Sequence, residues 1–310
     1  MHHRDQASNL RHLVNERAEQ VQPQEHAPFA GFEPPRQRPL KASKMRTIAV
    51  SSGKGGVGKT SLVVNLALAL AEFNFQVIIL DGDLGLANVD VAFGVTPYYS
   101  FKHLLSGEKS IEEILYPVHN DVKVLPGGSG VAELANLDSS ELKTMLINLK
   151  RLEGLADILL IDTGAGLNHT VMNFVCAADD MILVITPEPP SMTDAYGLLK
   201  TLKQETKVPT INVVVNRVQS ETEALQAFER LNNASRRFLD LKVSFLGWVF
   251  DDPKIGRSIM AQKPVGISDP QSPSYKCVQW IASQVVGLYT NPPSKSRGIK
   301  GFIRSLLGLS

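Results

Sequence analysis

One stretch constrains the fold more than any other. An apolar run, Thr47-Ile-Ala-Val-Ser-Ser, leads into Gly53-Lys-Gly-Gly-Val-Gly-Lys-Thr60 and then into a run with helical periodicity. This is G-x-x-x-x-G-K-[ST] set between a strand and a helix, the context in which the motif holds a polyphosphate. Glycines let backbone N–H groups turn inward without Cβ clashes, and the following helix adds its N-terminal partial charge. Gly53, Lys54, Gly55, Gly56, Val57, Gly58, Lys59, Thr60 and Ser61 are therefore the candidate nucleotide-binding residues. Lys59 is placed to reach the β- and γ-phosphates, and the Thr60 hydroxyl to ligate Mg²⁺.

The rest of the chain supplies the sheet that such a loop needs. Strands are predicted at Thr47–Ser51, Gln76–Leu80, Val122–Leu125, Ile158–Ile161, Met181–Ile185, Ile211–Val215 and Val243–Phe250. Near-continuous apolar runs such as VIIL, ILLI and INVVV suit strands covered on both faces. Helices are predicted at Thr60–Phe73, Ser139–Arg151, Ser191–Thr206 and Glu221–Leu241. This alternation predicts an α/β fold with a doubly wound, mostly parallel sheet over residues 45–290.

Two further segments flank that domain. Residues 1–44 hold Pro23, Pro28, Pro34, Pro35 and Pro39 among polar residues and cannot bury enough apolar surface to fold alone. Within them Asp5–Gln20 reads as one short helix capped by Asp5. Residues 291–297 read as a linker and 298–310 as a separate segment. On a helix, Ile299, Phe302, Ile303, Leu306 and Leu307 share one face while Lys300 and Arg304 share another. A short basic amphipathic helix of this kind is expected to lie in a lipid interface.

Composition excludes several other classes. The 310 residues carry a formal net charge of +1, which points to neither a nucleic-acid binder nor a polyanion. Cys176 and Cys277 form no C-x-x-C pair, so an iron–sulfur or zinc site within one chain is not expected, and lone thiols fit a reducing cytoplasm. No apolar h-region opens the chain and no run approaches the ~20 apolar residues of a bilayer span.

Two acidic segments follow the VIIL and ILLI strands: Asp81-Gly-Asp83-Leu-Gly-Leu-Ala-Asn-Val-Asp90 and Asp162-Thr-Gly-Ala-Gly-Leu. Carboxylates at the carboxyl ends of buried strands stand where ligands bind in such sheets. The KGGVGKT loop with its early lysine, together with these D-x-D-x-G-L-x-N and D-x-x-x-G segments, resembles the MinD/ParA-type deviant Walker A ATPases. The resemblance implies that Lys54 reaches a partner's phosphates in an ATP-dependent homodimer. It also implies that Asp83 positions or deprotonates the attacking water and that Asp81 and Asp162 support Mg²⁺ through its waters. Asn216-Arg217-Val218-Gln219 follows INVVV where guanine-specific relatives carry N-K-x-D, so the acid that would read guanine is absent. The absence favours adenine, and the family resemblance implies that Asn216 and Arg217 border it.

Asp5-Gln6-Ala7-Ser8-Asn9-Leu10-Arg11 is similar to the D-Q-A-x-x-L-R helix of the flagellar FlhG (YlxH, FleN) branch of that family. That resemblance implies a slow ATPase switch controlling flagellar number and placement, peripheral on the cytoplasmic membrane when ATP-bound. It further implies that Asp5, Gln6, Ala7, Leu10 and Arg11 meet an FlhF-type GTPase, and that flagellar switch-complex proteins are partners. Division-site selection of the MinD type and DNA segregation of the ParA type stay open as alternatives. The apolar C-terminal segment favours lipid over DNA.

Overall fold

The computed structural model describes residues 44–83, 88–127, 150–290 and 298–306. The expected helices Asp5–Gln20 and, apart from its last two residues, Ser139–Arg151 lie outside them, as do the 291–297 linker and Leu307.

Eight strands form one sheet in the order β3-β4-β2-β5-β1-β6-β7-β8. They are β1 (Arg46–Ser51), β2 (Val77–Gly82), β3 (Tyr116–His119), β4 (Val122–Leu125), β5 (Ile158–Thr163), β6 (Asp180–Ile185), β7 (Thr210–Val218) and β8 (Ser244–Phe250). All pairings are parallel except β3 with β4. Each expected strand is found. The short edge strand β3, whose YPVH alternates weakly and contains a proline, was not foreseen from sequence; proline suits an edge.

The helices are α1 (Lys59–Glu72), α2 (Val89–Phe93), α3 (Phe101–Leu105), α4 (Ile111–Ile114), α5 (Leu152–Leu155) and α6 (His169–Ala177). They continue as α7 (Pro189–Leu202), α8 (Glu221–Leu239), α9 (Pro253–Met260), α10 (Val265–Ser268), α11 (Pro273–Thr290) and α12 (Gly298–Leu306). Connections run from β1 through α1 towards β2 on one side, and from β6 through α7 towards β7 on the other. Right-handed crossovers then put helices on both faces, as a doubly wound sheet requires. α1 and α11 pack on each other. The Tyr275 hydroxyl and Gln279 amide both donate to Glu72, each at 2.7 Å, and lock that contact. α11 lacks a clean polar face and was not predicted; its buried stripe is legible only once α1 is beside it.

The last helix departs from expectation. The face of α12 that was assigned to lipid is seated in the protein: Ile299, Phe302 and Ile303 are buried, and Leu306 is half-buried. Phe302 stacks on Phe174 of α6 with ring centroids 6.4 Å apart. The Ile299 amide donates to Glu153 at 3.1 Å. Lys300 and Arg304 point outward. The physical reason is simple. Each large apolar side chain gains ~1.5–3 kcal/mol on leaving water, and a groove on the same chain supplies this without any membrane. No helix among the described residues is long and apolar enough to cross a bilayer.

Candidate functional site

The loop leaves the carboxyl end of β1, which is central in the sheet, between β5 and β6. Gly58 caps α1 with φ 93°, and Gly56 has φ 77°, both in the left-handed region that favours glycine. A Cβ at Gly53 would fall on the backbone carbonyl of Asp194 in α7, so the first glycine is demanded by packing. Among the described residues no side chain caps α1, whose N-cap is Gly58, and no acidic residue sits in its first turn. Its leading amides are thus left to a ligand, and the helix partial charge favours an anion there.

Lys59 opens that helix. Burial pushes its pKa down, against the pull of Asp162 and Asp83, which hold the ammonium charged. Thr60 Oγ1 donates to Asp162 Oδ2 at 2.6 Å. Asp162, at 1% exposure, has its pKa raised to about 7, chiefly by burial. The Thr60 bond and Lys59 oppose that rise, while Asp81 and Asp83 add to it. Asp162 Oδ1 is buried and has no hydrogen-bond partner among the described residues. An orphaned carboxylate oxygen beside a hydroxyl that can turn a lone pair outward fits a hydrated magnesium ion. The described residues contain no group of three His, Cys, Asp or Glu able to cage a metal alone.

Asp81 lies directly across the β2–β5 register from Asp162. Its pKa is raised to about 6 by burial, against the hydrogen bonds it accepts from the amides of Val89, Asp83 and Asn88. The Asp83 carboxylate stands beside Gly164, where a Cβ would be 3.5 Å from Asp83 Oδ1. β2 and β5 thereby bring the two acidic segments together above the loop. Lys54 lies at the surface, where its Nζ is 3.5 Å from Glu188 Oε2 at the start of α7. Glu188 belongs to no motif and was missed from sequence.

Asn216 has a role that its sequence position did not reveal. Its Nδ2 donates to the Val57 carbonyl at 2.7 Å, and its Oδ1 accepts from the Arg217 amide at 2.9 Å. The carboxamide braces the phosphate loop from the end of β7. Arg217 is exposed, with φ 57°. Ile255 of α9 closes a small cavity against Gly58, Ser61 and Asn216. The start of α9 carries a readable signal, Asp252 as cap before Pro253. A groove of about 660 Å³ lies at the amino ends of β7 and β8, away from the carboxyl ends that carry the loop, lined by residues including Thr210, Asn212 and Phe245. It contains none of the phosphate-site residues, so donor chemistry rather than size places the candidate site.

The AAA domain family model matches residues 45–215, from β1 through the loop and both acidic segments into β7. The antiactivator FleN of Pseudomonas aeruginosa is 34% identical over 78% of this chain and 86% of its own length. The chain belongs to the FleN/YlxH branch of the MinD-like ATPases. The flagellum site-determining protein YlxH of Helicobacter pylori is 30% identical over 84% of the chain and 89% of its own length. Among solved structures, septum site-determining MinD of Pyrococcus horikoshii, complexed with Mg-ADP, is 27% identical with a TM-score of 0.63. That likeness covers 79% of this chain and 97% of the other.

Proposed function

We propose that this ATPase is a nucleotide-controlled switch that regulates flagellar number and placement. The observation that carries the reading is the Thr60–Asp162 hydrogen bond beside Lys59, on a glycine loop whose helix amides are uncapped. ATP binds with its phosphates on residues 53–61, held by backbone amides and Lys59. Magnesium, when bound, neutralises the phosphate oxygens and holds them for in-line attack. Thr60 and Asp162 hold the ion, and Asp83 orients the water. The adenine lies near Asn216 and Arg217.

Lys54 is partly exposed, its side chain 42% open to solvent, and loosely paired, which suits a residue that crosses to a second copy. In the homodimer it leaves Glu188 for the partner's phosphates. Output comes from the bound state, so turnover is slow. The apolar face of α12 is the membrane contact of the dimer. Because Ile299, Phe302 and Ile303 are buried in the structure, lipid binding requires α12 to undock first. One helix of this length gains little alone, and two on one dimer gain by avidity. Asp5, Gln6, Ala7, Leu10 and Arg11, outside the described residues, contact an FlhF-type GTPase. Switch-complex proteins of the flagellar base are further partners. The names of the FleN and YlxH relatives support the flagellar assignment.

The test is size-exclusion chromatography and liposome pelleting of wild type and Asp83→Ala with ADP and with ATP. Dimer formation and pelleting only with ATP, persisting longer in the variant, are expected. A protein indifferent to the γ-phosphate would end the proposal.

A further inference from the structure

Two carboxylates face each other in the β2–β5 register, and they are engaged in opposite ways. Asp162 meets a hydroxyl and keeps an orphaned oxygen. The hydrogen bonds recorded for the Asp81 carboxylate all come from backbone amides. Its Oδ1 accepts from the Asp83 amide at 3.2 Å, and its Oδ2 from the amides of Asn88 at 2.9 Å and Val89 at 3.2 Å. At 3% exposure, such a carboxylate is tolerated because it is hydrogen-bonded. The donors fall in two places along the chain. One is Asp83 itself, the other the junction of Asn88 with the first turn of α2. Charge-assisted bonds to backbone N–H are stronger than neutral ones and are directional, so they fix position as well as charge.

We propose that Asp81 is a positioning residue, a backbone clasp that ties the Asp83 amide to the start of α2 and so sets where the Asp83 carboxylate stands. The part of this inference that concerns hydrolysis rests on the reading of Asp83 as the residue that orients water. The clasp itself rests only on the three hydrogen bonds.

Asp81→Asn keeps the size of the side chain and one carbonyl acceptor, but turns an NH₂ towards one set of amides. Asp81→Ala removes all three bonds. In full-length, nucleotide-free protein, hydrogen exchange at Asp83 and at 88–93 is expected to speed up about tenfold in Asp81→Asn and more in Asp81→Ala. Exchange in β1 and β6 reports that the fold is kept. The magnesium concentration giving half-maximal binding of a fluorescent ADP should stay within about twofold of wild type. kcat for ATP should fall about tenfold with KM little changed, as for an interaction made mainly in the transition state. A tenfold rise in the magnesium requirement, with exchange unchanged, would make Asp81 a metal-supporting residue and overturn the proposal. If the wild type hydrolyses no ATP, the switch reading fails, while exchange and the magnesium titration still decide the clasp.

Discussion

The Thr60 hydroxyl and the Asp162 carboxylate meet at 2.6 Å, joining the first turn of α1 to the end of β5 across the central strand. Their separation in sequence is 102 residues, and only the parallel pairing of β1 with β5 makes them neighbours. The bond uses the hydroxyl's proton on Asp162 and leaves the oxygen's lone pairs free to accept. On the function proposed above, Asp162 would act on a magnesium ion through Thr60 as well as through its own orphaned oxygen.

Asp162→Asn should weaken the nucleotide's dependence on magnesium without unfolding the protein. Loss of a partner that orients a metal ligand costs about 10–100-fold in metal affinity. Magnesium titrations of nucleotide binding by fluorescence check this. An unchanged half-saturation point would remove Asp162 from the metal site.

Both buried carboxylates titrate high, Asp81 at about 6 and Asp162 at about 7. Their unfolded values are near 3.8, so between about pH 4 and pH 7 the folded state binds more protons than the unfolded one. Their contribution to stability is present at low pH and is lost as pH rises through the folded values. The nucleotide-free protein should accordingly melt at least about 2 °C lower at pH 8 than at pH 5.5 on account of these groups. The difference should shrink in Asp162→Asn, measured by calorimetry.

Phe174 forms part of the seat for α12. Phe174→Ala leaves the terminal helix unaltered but removes its stacking partner. A buried Phe→Ala change costs about 3–5 kcal/mol, less where the packed element can detach. The variant should melt lower and pellet with anionic liposomes without ATP. Pelleting that still requires ATP would show that docking does not restrain the helix. Deletion of 297–310 should abolish pelleting in every background.

Lys54 and Glu188 form a solvent-exposed pair, a class worth about 0–1 kcal/mol. Lys54→Ala should leave the melting temperature within about 2 °C of wild type, since surface changes cost little. ATP-dependent dimers should nevertheless be lost on light scattering. If dimers form normally, Lys54 does not cross the interface.

Gly58→Ala puts a Cβ against the Asn216 carboxamide at φ 93°. The strained loop should bind ATP at least about tenfold more weakly, because left-handed backbone costs ~1–2 kcal/mol for an L-residue and the brace must also shift. Equilibrium dialysis with labelled ATP measures the loss.

The phosphate loop, its lysines, Thr60 and the two acidic strand ends were legible because they are local. Glycine spacing and a strand–turn–helix rhythm are written within thirty or so residues, and burial on both sheet faces leaves continuous apolar runs. The sheet was legible for the same reason, from VIIL, ILLI and INVVV. Its weakly alternating edge strand β3 was not.

Other features depend on which elements become neighbours. Asn216 was expected beside a base, and the packing of β7 against the loop adds a contact that the sequence did not reveal, its amide to the Val57 carbonyl. Glu188 acquired a role only through the approach of α7 to the loop. Asp81 and Asp162 looked alike as acids after strands, and the sheet gave one three backbone amides and the other a hydroxyl. The apolar stripe of α12 was plain in sequence, but a stripe says that a face will leave water, not what will cover it. The chemistry of the site was thus determined by sequence alone, because backbone conformation and charge are carried residue by residue. The partner of each buried group was decided only by tertiary structure, because hydrogen bonding and apolar burial depend on which distant segments the fold brings within contact.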